Sequence, residues 1–205
     1  MSTIQTQKSR KCSPDGPPLE LNDLRQYFLD GCKQDDDLKV GVEWEKVGVY
    51  KETARAIDYS GPRGVKAIFE ALISRYGWQP VSSQGIVIAL QKKETSITLE
   101  PGGQIELSGW KADALDQNAA ELYSHLSEIK SVSEPLGIVW LGLGAQPIST
   151  AEEIEWVPKE RYNIMRESLK NKGSMTHRMM KETASVQISV DYLNEADSIE
   201  KLRLA

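Results

Sequence analysis

The sequence predicts an α+β protein, with an antiparallel or mixed sheet and helices on one side of it. Several short segments alternate apolar and polar residues as strands do, and the connections between neighbouring segments are too short for the crossovers of a parallel sheet. Other, longer segments repeat apolar residues at helical spacing. With 40% hydrophobic and 27% charged residues, the composition is ordinary for a soluble globular domain.

The first predicted elements follow a polar tail. Residues 1–18 carry prolines and a glycine but no apolar cluster, so we expect them to be disordered. The apolar spacing that starts at Leu21 predicts a helix that ends near Gly31. The valine-rich segment that leads to Tyr50 predicts a strand.

The clearest helix lies within residues 58–80. Ser60 is placed to cap it, Pro62 suits its first turn, and Gly77 ends it. Its apolar stripe consists of Val65, Ile68, Phe69, Leu72, Ile73 and Tyr76. Three strands are predicted next, at residues 85–93, 95–100 and 104–109.

The second half of the chain mixes helices and strands. A long helix is expected at residues 112–135, and its inward face is predicted to consist of Leu115, Ala119, Leu122, Leu126, Ile129 and Val132. The remaining pattern predicts a buried strand at 137–144, helices at 159–169 and 175–184, a strand at 185–193 and a last helix from 195. This helix has no cap, glycine or proline at its end, so we expect the chain to be part of a longer protein.

Composition argues against several classes of protein. The net charge of −5 provides no basic surface for nucleic acid, and the longest apolar run, residues 137–145, is too short to span a membrane. Cys12 and Cys32 do not make a disulfide framework, which is typical of a reducing compartment. The N-terminus lacks the apolar segment of a secretory signal. We therefore predict a cytoplasmic protein that binds neither nucleic acid nor a membrane.

Acidic side chains occur in a strand that would be more stable without them. The alternation within residues 40–50 places Glu43 and Glu45 on the face opposite Val42 and Trp44. Two like charges on a substantially buried strand repel each other unless a counter-charge lies near them. The alternative is an ordinary solvated strand face, and a single glutamate does not decide between the two.

A second acidic pair flanks the Pro-Gly-Gly turn of residues 101–103. If the strands of this hairpin pair, Glu100 and Glu106 project on the same polar side, which also carries Gln104. Two acidic pairs on strand faces offer the oxygen donors that Mg²⁺ prefers. Together they predict a divalent-metal site.

Other polar residues allow two interpretations each. Tyr162 and Arg166 lie four residues apart on one predicted helix face, close to Arg161, so an arginine there is either solvated or binds a carboxylate or phosphate. His125 and His177 have no metal-ligand partner at useful spacing and are predicted to be structural.

One face of the strand in residues 183–190 is uniformly polar. It is either a solvent face or the floor of a ligand site, and its members are Thr183, Ser185, Gln187 and Ser189.

Four segments in order resemble the plant-type glutamate–cysteine ligases found in plants and many bacteria: GVEWEKVGV, ITLEPGGQIELSG, VPKERYNIMR and MMKETASVQISVDY. The resemblance implies a fold like that of glutamine synthetase, with a curved antiparallel sheet, helices on its outer face and the active site in the concavity. Residues 19–205 would then be the N-terminal part of the catalytic domain. Its unpaired sheet edge leads us to expect self-association.

The resemblance also implies an activity and site residues. Such enzymes join the γ-carboxylate of L-glutamate to the amine of L-cysteine through an acyl phosphate, using ATP and Mg²⁺, in the first step of glutathione biosynthesis. The implied metal ligands are Glu43, Glu45, Glu100 and Glu106. The implied substrate contacts come from Tyr162, Gln104, Thr183 and Arg166, with Arg166 also catalytic, and Gln187 would contact the nucleotide.

Two alternatives remain open at this stage. A related ligase would join an acid to a different amine, because the acceptor pocket cannot be recognised in the sequence. A non-catalytic half-module would bind metal or ligand without turning over ATP. Many relatives have histidine where this chain has Trp44 and asparagine where it has Ser189, but the alternation points Trp44 away from the acids.

Overall fold

The computed structural model describes residue 16 and residues 18–205, so the disorder predicted for residues 1–18 falls almost wholly outside the described part of the chain. Two compact units are present. The larger unit comprises Gly41–Ile188, and the smaller unit comprises the described residues up to Val40 together with Ser189–Ala205.

Most predicted elements are found, with the following bounds. The helices are α1 (Leu21–Asp30), α2 (Val65–Tyr76), α3 (Leu115–Ser133), α4 (Glu160–Leu169), α5 (Thr176–Glu182) and α6 (Glu195–Leu204). The strands are β1 (Val40–Tyr50), β2 (Gln79–Ser83), β3 (Ile86–Lys92), β4 (Thr95–Leu99), β5 (Ile105–Ser108), β6 (Ile138–Leu141) and β7 (Val186–Val190). Short 3₁₀ helices occupy Asp35–Asp37 and Glu134–Leu136.

The strands form one sheet around the long strand β1. Six of them lie in the order β2-β3-β4-β5-β1-β6, and each pairing along this row is antiparallel. Strand β7 also pairs with β1. The predicted α+β class with an antiparallel sheet is confirmed, and the likeness to glutamine synthetase stays a prediction.

The hydrophobic core lies between one face of this sheet and the helices α2 and α3. The predicted stripe of α2 is confirmed, since Val65, Ile68, Phe69 and Leu72 are buried. Strand residues of the core include Leu90, Ile97, Leu99, Ile105 and Leu107, and α3 adds Ile129 and Val132. Trp44 packs against the same cluster, so the alternation along β1 places Glu43 and Glu45 on the other face.

The predicted start of α2 is wrong. The helix begins at Val65 with Gly64 at the N-cap, so Ser60 does not cap it and Pro62 precedes its first turn. The preceding loop folds back onto the helix, because the Val65 N–H donates to the Asp58 carbonyl at 2.9 Å. This backbone contact replaces the side-chain cap that the sequence suggested.

The observed burial of α3 and β6 differs from the prediction, and one strand was not predicted at all. Leu115 was expected to face the core, but it is 65% exposed, and α3 buries the polar Asn118 and His125 instead. Strand β6 is only partly buried, since Val139 is 38% exposed. Strand β2 was not predicted, because its sequence QPVSS lacks an apolar face and all five residues are exposed.

The smaller unit contains α1 and α6. The Lys39 N–H donates to Asp191 Oδ2 at 3.1 Å, and the Tyr192 hydroxyl donates to the Phe28 carbonyl at 2.7 Å. Neither helix has a buried residue. Among the described residues, no helix combines the length and the apolar character that a membrane span requires.

Candidate metal centre

Three glutamates meet on the sheet face opposite α2 and α3. A carboxylate oxygen from each of Glu45, Glu100 and Glu106 lies within 4.8 Å of the other two. The strand register explains this, because Glu45 on β1 is directly opposite Glu106 on β5, which is opposite Thr98 on β4. Glu100 follows β4 two residues after Thr98 and so shares its face.

The turn between β4 and β5 sets the separation of Glu100 and Glu106. The Gly103 N–H donates to the Glu100 carbonyl at 2.9 Å, and Gly103 has a φ of +82°, a conformation that favours glycine. A Cβ atom on Gly102 would lie 2.8 Å from the Cα atom of Lys181. Both glycines are therefore required by the backbone path.

Two of the three carboxylates are fixed by hydrogen bonds. Glu45 accepts from the Ser185 N–H at 2.8 Å and from the Gln187 amide at 3.1 Å. Glu106 accepts from the Thr98 hydroxyl at 3.0 Å and from the Ser108 hydroxyl at 2.6 Å. The polar side of the segment before and within β7 thus faces the acids and orients one of them.

Like charges dominate the electrostatics of this face. Burial raises the pKa of the Glu100 carboxyl, and the charges of Glu106 and Glu45 raise it further. Burial and the same two charges raise the pKa of Glu43. Glu43 is therefore close to the cluster, but it is not one of the three residues whose oxygens meet.

Cations lie beside the acids, and one of them was missed by the sequence reasoning. Burial lowers the pKa of the Lys159 ammonium, and the charge of Glu100 opposes that change. The Lys159 ammonium donates to the Leu99 carbonyl at 2.7 Å. Arg161 also acts on Glu100 electrostatically. A lone lysine just before a helix gives no sequence signal for such a position.

Arg166 lies on the exposed side of α4. Its guanidinium stacks over the Trp156 ring at 5.3 Å, and the Lys181 ammonium lies 4.7 Å from the centre of the same ring. No ion pair holds the Arg166 guanidinium among the described residues, so it can accept an anionic partner.

Three other predicted substrate contacts already have partners in the protein. The Tyr162 hydroxyl is buried and donates to the Leu99 carbonyl. The Gln104 amide is buried and donates to the Thr183 carbonyl at 2.7 Å. The Thr183 hydroxyl donates to the Met179 carbonyl at 2.6 Å. These residues hold the backbone around the site, and their substrate roles stay predictions.

Neither histidine belongs to the acidic cluster. His125 is buried on α3, on the other side of the sheet. His177 contacts the Trp156 ring edge-on at 5.5 Å, and its Nε2 atom lies 3.2 Å from the Arg166 carbonyl.

Fold and site together define an α+β protein with a candidate divalent-cation site of three carboxylates on its sheet. The family model of glutamate-cysteine ligase family 2 matches residues 39–205. The chain belongs to this family, as its four sequence segments suggested.

Named relatives are chloroplastic enzymes of plants. The chain is 40% identical over 186 residues to glutamate–cysteine ligase B of Oryza sativa subsp. japonica, covering 91% of this chain and 37% of the relative. It is 39% identical to the ligase of Arabidopsis thaliana, again over 91% of this chain but 35% of the relative. The chain thus spans little more than a third of the length of these relatives.

The relatives correct one prediction. The cytoplasmic localisation expected from the sequence is contradicted, because the matched glutamate–cysteine ligases of Oryza sativa, Arabidopsis thaliana and Brassica juncea are chloroplastic. The low cysteine content and the lack of a secretory pattern fit more than one compartment, so they did not distinguish the cytoplasm from a plastid.

Proposed function

We propose that this chain supplies the metal- and nucleotide-binding part of an ATP-dependent ligase that joins the γ-carboxylate of L-glutamate to the amine of L-cysteine. The observation that carries this proposal is the convergence of Glu45, Glu100 and Glu106 on one sheet face in a member of the glutamate-cysteine ligase family. The compartment that we propose is a plastid, as for the named relatives.

The cluster has the chemistry that Mg²⁺ requires. Magnesium prefers carboxylate oxygens and retains water or phosphate oxygens as further ligands. The negative charges of Glu45 and Glu106 make Glu100 harder to ionise, so a divalent cation bound between the three carboxylates would relieve this repulsion. We therefore propose Glu45, Glu100 and Glu106 as the metal ligands. Glu43 lies close enough to add its negative charge to the site.

The reaction explains why so much charge is gathered here. A carboxylate is a poor electrophile, so its oxygen first takes the γ-phosphoryl group of ATP, with release of ADP. The amine nitrogen then attacks the carboxyl carbon, the bond to the phosphorylated oxygen breaks, and phosphate and a proton leave. Bound magnesium would supply neutralisation and alignment of the phosphates.

Protein side chains have separate tasks in this proposal. We assign to the Arg166 guanidinium, which has no ion-pair partner among the described residues, the binding of a substrate carboxylate or of the transferred phosphoryl group. Lys159 and Arg161 offset part of the negative charge beside Glu100. Gln187 holds Glu45, which makes it a positioning residue at the metal and nucleotide side of the site.

The test is phosphate release from ATP by the full chain, with the reaction product identified by mass spectrometry. We expect release to require Mg²⁺, glutamate and cysteine together. If another amine replaces cysteine more effectively, the chain is a related ligase with a different acceptor. If Mg²⁺-ATP binds without any turnover, the chain acts as the non-catalytic half-module, and if neither Mg²⁺-dependent ATP binding nor turnover is detected, the ligase proposal is wrong for this chain.

A further inference from the structure

A lysine side chain is buried on the side of strand β1 that faces away from the three glutamates. Lys46 follows Glu45 in β1, so the alternation of side chains places it on the helix-covered face of the sheet. The residue is only 5% exposed, and its ammonium donates to the Trp44 carbonyl at 2.8 Å. A buried positive charge therefore lies one residue from a proposed metal ligand.

The helix-covered side offers this ammonium no negative charge. Within the part of the chain that the structure describes, Lys46 takes part in no ion pair. The nearby His125 of α3 is buried, and neither of its ring nitrogens has a hydrogen-bond partner among the described residues. Burial lowers the pKa of the imidazole to about 3, and the charge of Lys46 lowers it further. The ring is therefore neutral near pH 7 and cannot balance the charge of Lys46.

The negative charges that favour the protonated amine of Lys46 lie across the sheet. Burial lowers the pKa of the ammonium to about 8, and the charges of Glu106 and Glu45 oppose that change. The amine is therefore mostly protonated at pH 7. Lysine is almost never buried this deeply without an anionic partner, because an unpaired buried charge is costly. Here the partners at a distance are two of the three carboxylates of the metal centre.

We propose that Lys46 is an internal counter-charge of the metal centre, a positioning residue that stabilises the clustered carboxylates when no cation is bound and weakens cation binding. This inference rests on the proposed metal-binding function. A cation bound by Glu45, Glu100 and Glu106 would be attracted by the carboxylates and repelled by the ammonium behind the sheet. Because the ammonium lies in a poorly solvated interior, salt screens this repulsion only weakly.

Removal of the charge should strengthen metal binding, whereas structural damage to the site would weaken it. We expect Lys46→Met in the full chain to bind Mn²⁺ about three- to tenfold more tightly than the wild type at pH 7, because one repulsive charge is lost. Lys46→Gln should show the same direction, since the two variants share only the loss of charge. Electron paramagnetic resonance of free Mn²⁺ measures both affinities. Equal or weaker binding by both variants would overturn the proposal.

The matched control is a lysine that follows the same strand. Lys51 is exposed and comes directly after the last residue of β1. It lies roughly 20 Å from Glu45 along the extended chain. This separation exceeds the Debye length of about 10 Å at 0.1 M salt. We expect Lys51→Met to leave Mn²⁺ affinity unchanged. A gain equal to that of Lys46→Met would show that the net charge of the chain, and not the place of Lys46, controls the affinity.

A trivalent cation provides a second test, because electrostatic repulsion grows with the charge of the ion. Lys46→Met should strengthen La³⁺ binding by a larger factor than Mn²⁺ binding, and displacement of Mn²⁺ by La³⁺ measures this as a rise in free Mn²⁺. An equal or smaller factor for La³⁺ would contradict the counter-charge role. If the wild type binds no Mn²⁺, the metal centre itself is wrong. If the wild type binds Mn²⁺ and neither Lys46 variant binds it more tightly, only the inference about Lys46 is wrong.

Discussion

Three like charges at the metal centre make Glu100 costly to ionise when no cation is bound. Burial, Glu106 and Glu45 raise its pKa above the ordinary value of 4.5. The folded state therefore binds a proton more tightly than the unfolded state, and stability falls as pH rises from 4.5 through the raised pKa. At pH values above the raised pKa, Glu100 is ionised, and the metal-free protein keeps the full cost of its repulsion by Glu45 and Glu106.

We expect Glu100→Gln to stabilise the metal-free protein at pH 7 by about 1 kcal/mol, because it removes one of the repelling charges. The gain corresponds to roughly 2–4 °C in Tm for a domain of this size. Thermal unfolding in a chelator between pH 4 and 8 measures it. Glu94→Gln, an exposed turn residue with the same charge change, is the control, and equal curves for both variants would contradict the prediction.

The ionisation of His125 should make stability depend on pH in the opposite direction. Its pKa falls from 6.5 to about 3 in the folded protein, so stability is lost as pH drops through this window. His125→Phe removes both this loss and the unpaired nitrogens, which should stabilise the protein by about 1–3 kcal/mol at pH 7.

Urea unfolding at pH 7, 5 and 4 measures the effect of His125→Phe. The variant should show a flatter pH dependence than the wild type. His177→Phe, at a less buried histidine, should keep the pH dependence of the wild type. If His177→Phe flattens the pH dependence and His125→Phe does not, His125 is not the histidine responsible.

Alternation along strands predicts the face of a residue but not its distance from others. It placed Glu45, Glu100 and Glu106 on one side and Trp44 on the other, as the structure shows. It could not predict that three oxygens meet and that Glu43 stays outside, because that depends on the register between β1 and β5. Lys159 had no local signal at all.

At the scale of elements, strong apolar periodicity was a reliable guide and weak periodicity was not. Of the six residues predicted for the stripe of α2, four are buried, and Ile73 and Tyr76 are partly buried against the same core. The start of α2 was missed because a backbone contact to Asp58, invisible in a capping pattern, replaces Ser60. The face of α3 was missed because Asn118 and His125 are polar, and the pattern assigns polar residues to solvent.

The turn between β4 and β5 gives an element-scale prediction. Gly102→Ala places a Cβ atom against the Lys181 backbone, so we expect destabilisation of about 1–3 kcal/mol. Gly142→Ala is the control, because its Cβ atom would meet no atom within 4 Å and should change stability by less than about 0.5 kcal/mol. Denaturant unfolding compares them, and equal stabilities would show that the turn relaxes freely.

At the scale of the whole molecule, β7 presents an apolar side to solvent. Val186 is 62% exposed and Ile188 is 63% exposed. Such a strand surface favours association, in agreement with the predicted self-association. The alternation of apolar residues in this strand could be predicted from the sequence, but what covers them could not, because that depends on residues far away or on other chains.

We expect the isolated chain to associate as its concentration rises, and Ile188→Lys to reduce this association at least several-fold. Ile164→Lys is a matched control, since Ile164 on α4 is 64% exposed and lies outside β7. Sedimentation velocity measures both variants. An equal effect of the two substitutions would mean that added charge alone, and not the surface of β7, controls the association.

The most direct test of the metal centre is Mn²⁺ binding followed by electron paramagnetic resonance, which counts free Mn²⁺ during a titration. The wild type and Glu94→Gln should bind with the same affinity. Glu45→Gln, Glu100→Gln and Glu106→Gln should each bind roughly 10- to 100-fold more weakly, with a smaller loss in Glu43→Gln. Identical titration curves for the wild type and the three cluster variants would show that these carboxylates do not hold the metal.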